Sequence, residues 1–459
     1  MTDPHHPSRL SSITRRAAMG AIAGGAALAA FWPRTPRSRR TIPSGRVVLR
    51  YWEKWTGPEG EAIQRVVDRY NESQDRAWVQ RVPVADPMSK AMVAVGGGDP
   101  PDVLGLFSYN VAQFAEARAA MSLDEFASRP GEIDPSIYKP AVARMLSHRG
   151  RPWAGVNTCY TLALYCNRAV LASIGADPSR LPRTIGELDA LAERLNERDG
   201  AGKLSRVGFL PNLPSWWPYF WPIMFGGSLY DAARDRATVA SAECVRAYEW
   251  IGRCAARVSP AAAGAFANSY ARSFHSPEDP FISGHAAMIV QGPWLANFIR
   301  HYNPSLDYAA VPVPLSPDVP DPDQPRGMLE ADVLMIPRGC PHPEESFAFL
   351  SFMQSEEVQE QLASEHCKSS PMARVSESFM RTHANRSVAV HDAITASPRV
   401  EVLPQTRAWK PYADLMIGAF DEVWNGGDAA AIMTRVQSRA QAILDKAGEL
   451  RKRREGAPA

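Results

Sequence analysis

Apolar positions change period several times along this chain, and each change marks an element. Arg46 to Trp52, RVVLRYW, carries the β-branched and aromatic weight of a strand and runs into the loop EKWTGPEG. Ile63, Val66, Val67 and Tyr70 then recur at helical spacing. AWVQRVPV (77–84) predicts a second strand, and a short helix is expected around Lys90 to Val95. DVLGLF (102–107) is a continuous apolar run, as in a parallel strand covered on both faces. Strand, helix, strand, helix, strand predicts an α/β unit. Ligands collect beyond the carboxyl ends of the strands in such sheets. That puts Trp52, Trp55, Tyr109 and Asn110 on one rim.

A second unit begins near Val156. TLALYC (161–166) reads as a strand, followed by a helix from Arg168 to Ile174 that Gly175 ends. Thr184 with Glu187 three residues on forms a capping box, opening a helix whose apolar face is Ile185, Leu188, Leu191, Ala192 and Leu195. Further on, the pattern predicts a helix from Ala242 to Val258 and a strand in AAMIVQGPW that ends at Gly292-Pro293-Trp294. Tyr308 to Val313 and ADVLMIP (331–337) read as strands, and 343–364 as one helix with Phe347, Phe349, Leu350 and Met353 inward. The C-terminal part is helical, its last helix capped by Asp428.

One stretch obeys neither period. NLPSWWPYFWPIMFGG (212–227) gathers Trp216, Trp217, Tyr219, Phe220 and Trp221 between Pro214 and Pro222. Proline breaks both helices and central strands, so this segment presents its rings from irregular backbone. An aromatic platform for a ring-shaped ligand and a hydrophobic plug both fit that pattern. By contrast, Trp78, Trp250 and Trp424 lie in amphipathic patterns and read as core, while Trp153 fits either role.

Composition narrows the function classes. At 459 residues the chain is long enough for two domains or three. The net charge of +2 misleads: the first forty residues hold seven Arg and one Asp, so the remainder has 44 basic and 48 acidic side chains, or −4. Nothing there suits nucleic acid. Residues 1–40 read as a targeting segment, with Arg15-Arg16 ahead of an Ala/Gly-rich run, as in a twin-arginine signal. Uncleaved, that run would leave an N-terminal anchor. The six cysteines show no zinc spacing; Cys340 and Cys367 flank one predicted helix and could bridge its ends, and the others read as small buried hydrophobes. The histidines show no ligand spacing, so no metal or other cofactor is expected.

Several blocks fit one family together: YWEKWTGPEG, GGGDPPDVLGL, LYCNRAVLASIGAD with PRTIGELDALAERL, FISGHAAMIVQGPW, and ADVLMIPRGCPHPEESFAFLSFMQSEEVQEQL, in that order. The chain resembles the extracellular solute-binding proteins of ABC importers, in the sugar-binding class that includes maltose-binding protein, from about Arg46 to Leu444. The resemblance implies a type II periplasmic-binding-protein-like α/β fold of two hinged lobes closing on a sugar. It puts lobe 1 at 46–154 plus about 330–375, and lobe 2 at 156–327 plus about 376–450. By position it places Trp294 and Trp409 beside Trp216, Trp217 and Trp221 as aromatic faces of the cleft. Polar contacts to sugar hydroxyls fall to Tyr109, Asn110, Glu53, Glu330 and Asp332, with Trp52 and Trp55 on the first-lobe rim. No catalytic residue is implied. The implied partners are a mono- or oligosaccharide and the importer's membrane permeases, for a monomer outside the cytoplasm. An acidic–basic pair after DVLGLF, as in the maltose type, is missing, which argues against maltodextrin. An exported carbohydrate-active enzyme, or a binding protein for a non-sugar solute on the same fold, remain the rival readings.

Overall fold

Two sheets of three or more strands, built by two different rules, stand beside three two-stranded ribbons among the described residues. The computed structural model describes residues 42–455; the expected targeting segment, residues 1–40, lies outside them. Only elements used below are labelled. β1 (Val47–Glu53), α1 (Gly57–Ser73), β2 (Ala77–Pro83), α2 (Pro87–Gly96) and β3 (Val103–Phe107) follow one another as the periodicity predicts. Next come β4 (Gly155–Thr161), β5 (Ala163–Asn167), α3 (Ile185–Leu195), α4 (Ala242–Val258), β6 (Met288–Gln291), α5 (Leu295–Tyr302) and β7 (Tyr308–Pro312). The chain closes with β8 (Gly327–Met335), α6 (Pro343–Met353), α7 (Glu356–Glu365), β9 (Val400–Val402), α8 (Trp409–Trp424) and α9 (Ala429–Glu455).

The larger sheet runs β9-β8-β3-β1-β2, with β4 on the other edge of β8. Its β1, β2 and β3 are parallel, whereas β8 lies antiparallel to β3 and β4. β8 changes neighbour midway: Gly327 to Leu329 pair with β9, and Asp332 to Met335 pair with β3. Glu330 and Ala331 fall in the interval, where the Ser108 hydroxyl accepts the Ala331 N–H at 3.3 Å. The smaller sheet is an antiparallel triplet, β6-β5-β7. One apolar core covers this triplet with the 213–258 region and α8 and α9; two others pack on either side of the larger sheet.

The local rules are visible in the details. At the start of α3 the Thr184 hydroxyl accepts the Glu187 N–H (3.2 Å) while the Glu187 carboxylate accepts the Thr184 N–H (3.1 Å). The single helix expected over 343–364 is instead two, α6 and α7. Gln354 leaves the helix because its side-chain oxygen accepts from Tyr138 Oη and Val156 N, both at 2.9 Å, and Ser355 takes extended backbone as the cap of α7. All six cysteines are free and buried, so Cys340 and Cys367 are not bridged. Among the described residues no helix is long and apolar enough to cross a membrane, and no His/Cys/Asp/Glu group could hold a metal.

Candidate functional site

The carboxyl end of β1 meets the middle of β8 at a buried charge cluster. Glu53 is wholly buried: its carboxylate accepts from Tyr51 Oη (2.5 Å), Lys54 N (2.7 Å) and Asn157 Nδ2 (3.3 Å). Gly105 makes room for it, since a Cβ there would lie 2.2 Å from the carboxylate. Lys54 Nζ lies 3.1 Å from Asp332 Oδ1 and donates to Leu106 O at 3.0 Å. Lys368 Nζ donates to Asp332 Oδ2 (3.0 Å) and to Thr158 Oγ1 (2.8 Å). One carboxylate thus holds two ammonium groups. A buried charge is tolerated only when paired in this way. Against the burial penalty, Lys368 and Lys54 hold the Asp332 carboxyl below the usual range. Burial also opposes the Lys54 charge, but Asp332 and Glu53 overcome it and raise that group. Glu330 differs: burial pushes its carboxyl up to about 7, with Tyr160 Oη donating to it at 2.5 Å.

Aromatic rings cover this cluster. The Lys368 ammonium lies 5.5 Å from the centre of Trp55, 5.7 Å from Tyr160 and 5.9 Å from Trp294. Lys54 sits 4.4 Å over Phe107, which stacks on Tyr109 (5.3 Å, 15°). Tyr160 meets Trp294 edge-on at 4.9 Å, and Trp217 closes the group at 5.9 Å from Trp294. Gly292 sets the Trp294 ring, because a Cβ at 292 would lie 2.2 Å from it. The indole Nε1 atoms of Trp55 and Trp294 are buried, with no hydrogen-bond partner among the described residues. Core tryptophans behave otherwise: Trp221 Nε1 donates to Pro211 O and Trp250 Nε1 to Asp189 Oδ1, both at 3.0 Å. Buried donors are satisfied as a rule.

The residues singled out from sequence therefore separate. Glu53, Trp55, Tyr109, Trp217, Trp294, Glu330 and Asp332 come together or adjoin one another. Trp216 stands at the edge, 38% exposed and 5.4 Å from Trp217. Trp52 points to the opposite face of β1 from Glu53 and packs against the core containing Leu104 and Leu106. The Asn110 side chain accepts the Phe107 N–H at 3.2 Å and holds the turn after β3. Trp221 (2% exposed) packs on Trp250 at 4.7 Å, and Trp409 (3%) opens α8 edge-on to Tyr219 at 5.2 Å. Tyr160, Lys368 and Phe107 were not singled out. For Tyr160 there was a signal: β4 is buried throughout yet contains Asn157, Thr158 and Tyr160. Lys368, in the loop after α7, had none.

A cavity of about 800 Å³ lies apart from these rings, beside Glu116, His148, Tyr230, Gln405 and Arg451. On its wall Glu116 lies 3.2 Å from His148 and 3.6 Å from Arg451. A cavity of about 450 Å³ opens between Glu59 at the start of α1 and Phe298 and Tyr302 on α5.

Comparison with known proteins accounts for this architecture. The sn-glycerol-3-phosphate-binding periplasmic protein UgpB of Yersinia pestis is 26% identical over 153 residues, 32% of this chain and 34% of that protein. The chain thus matches about a third of the length of the curated relatives. The structure of CpMnBP1 with mannotriose bound superposes with a TM-score of 0.75 at 21% identity, covering 86% of this chain and all of that one. The cyclic alpha-maltosyl-1,6-maltose binding protein from Arthrobacter globiformis gives a TM-score of 0.70 at 17% identity, over 88% of this chain and 100% of that one. Likeness at such identity establishes the fold, that of the type II periplasmic binding proteins. Residues 54–360 match the family described as bacterial extracellular solute-binding protein, and the chain belongs to that family.

Proposed function

We propose that this protein captures a neutral sugar between two hinged lobes and delivers it to an ABC importer. The lobes are 46–154 with about 330–375, and 156–327 with about 376–450; the cluster of Trp55, Tyr160, Trp217, Trp294 and Glu330 faces the sugar. The observation that carries this reading is the pair of buried indole N–H groups on Trp55 and Trp294, which have no partner among the described residues. A sugar hydroxyl would accept them while its C–H face covers the rings. Glu330, held near its titration point, suits a contact to a hydroxyl that both donates and accepts. Closure on the ligand would make the shape that the permeases read. The protein acts as a monomer outside the cytoplasm, exported by the twin-arginine route.

Two lysines in the cluster favour a second reading, an anionic solute such as a glycerol phosphate. Their charges are matched by Asp332 and by Glu53, 3.6 Å from Lys54, which favours the neutral ligand. The test is thermal: a ligand that binds only the folded protein stabilises it by about 2.7 kcal/mol at a hundred times its dissociation constant. A panel of mono- and oligosaccharides is expected to contain one that raises the melting temperature. A shift with glycerol 3-phosphate alone would favour the second reading. Turnover of a glycoside, lost in Glu330→Gln, would replace binding with catalysis.

A further inference from the structure

Resting on the sugar-capture reading, we infer that the cleft continues along a run of rings to a second sugar-binding station between α1 and α5. The ligand is then an oligosaccharide of three or more rings. The run is continuous in contact: Trp294 to Trp217 is 5.9 Å, Trp217 to Trp216 is 5.4 Å and Trp216 to His275 is 5.1 Å. His275 then stacks on Phe298 at 4.2 Å, and Phe298 on Tyr302 at 6.4 Å.

Exposure picks out the same run. Among the described residues the large exposed hydrophobics are Ile42, Val93, Trp216, Tyr302, Ile417 and Leu450. Two of these six are aromatic rings, Trp216 at 38% and Tyr302 at 37%, and both belong to this one connected series. Scattered aliphatics on a surface need no explanation, whereas linked exposed rings mark a binding surface. The series ends at the cavity of about 450 Å³ beside Tyr302, within the range of roughly 300–1,000 Å³ typical of small-molecule sites.

Polar groups suited to hydroxyls lie along it. His275 Nε2 is buried with no hydrogen-bond partner among the described residues. The Glu59 carboxyl lies at the cavity wall, where burial raises it and the Lys368 charge acts against that rise. Opposite, Asn297 is fixed by Glu365 O (3.3 Å) and holds Arg300 Nη2 at 2.5 Å. Rings with acceptors between them suit a chain of sugar units, each offering an apolar face and hydroxyls.

Calorimetric titration of the purified protein with manno- and malto-oligosaccharides of about two to six units tests this. Tyr302→Ala is expected to weaken the longest bound member about tenfold and leave the shortest unchanged; Glu59→Gln should follow the same length dependence with a smaller factor. Both side chains are at the cavity wall, so the melting temperature without ligand serves as the folding control, and Trp216→Ala gives an independent reading. Equal weakening at every length, or no change for the longest, overturns the outer station alone. A wild-type protein that binds no saccharide in the series overturns it together with the sugar reading.

Discussion

Two aromatic regions of this protein look alike in composition and differ in their polar atoms. Around Trp250, the rings of Trp221, Phe225 and Phe209 pack with both indole N–H groups donating to protein acceptors. Around Lys368, the rings of Trp55, Tyr160 and Trp294 leave two indole N–H groups without acceptors among the described residues. Aromatic density therefore does not distinguish core from site. Between these two regions the unpaired indole N–H groups mark the difference, because a buried donor without a partner costs about 1–3 kcal/mol.

The largest effect expected from this contrast is on stability. Trp250→Ala should cost about 3–5 kcal/mol in denaturant unfolding, with sugar affinity per folded molecule unchanged. Trp294→Ala should reverse the pattern, losing binding and little unliganded stability. Equal stability losses in the two variants would erase the distinction. A second, intermediate effect depends on pH. Glu330 moves from an ordinary 4.5 to about 7 on folding, so the folded state holds its proton more tightly. Stability then falls as pH rises from about 4.5 through 7, by about 3 kcal/mol at most. Melting curves at pH 5 and pH 8 should show this slope in the wild type and a flatter one in Glu330→Gln. An unchanged slope would mean that Glu330 is not held near neutrality. The smallest effect isolates the N–H alone. Trp221→Phe leaves Pro211 O without its donor and should lose stability by about 1–3 kcal/mol. Trp294→Phe should cost less than that in stability and weaken the sugar. A larger loss in Trp294→Phe would show that its N–H already has a use in the unliganded protein.

How much was legible in the sequence follows from distance along the chain. Local rules read the strand–helix alternation of residues 47–107 and the Thr184–Glu187 box, since each is decided within a few residues. They failed at Gln354, whose helix break is set by Tyr138 and Val156, roughly two hundred residues away. The candidate site divides the same way. Trp294 was legible because GPW ends a strand, and Trp55 because it follows one. Lys368 was not, since only folding brings it to Asp332, Thr158 and the rings. Within the proline-broken segment, Trp217 and Trp221 are four residues apart, yet one joins the cluster and the other the core. No period describes irregular backbone, so none could separate them.

The change of neighbour along β8 has a mechanical consequence. At Glu330 and Ala331 the strand has left β9 and not yet joined β3, and on that edge a serine hydroxyl stands in for a ladder bond. A hydroxyl turns with its own rotor and keeps its contact over a range of angles that a rigid backbone ladder does not allow. The sheet thus has a seam on that edge at the residues that carry Glu330. On the opposite edge β4 pairs with Glu330 and Ala331 without a gap, through Tyr160 and Cys159, and shifts register only after Asp332, so the seam opens one edge of β8 and leaves the other tied to the strand that carries Tyr160.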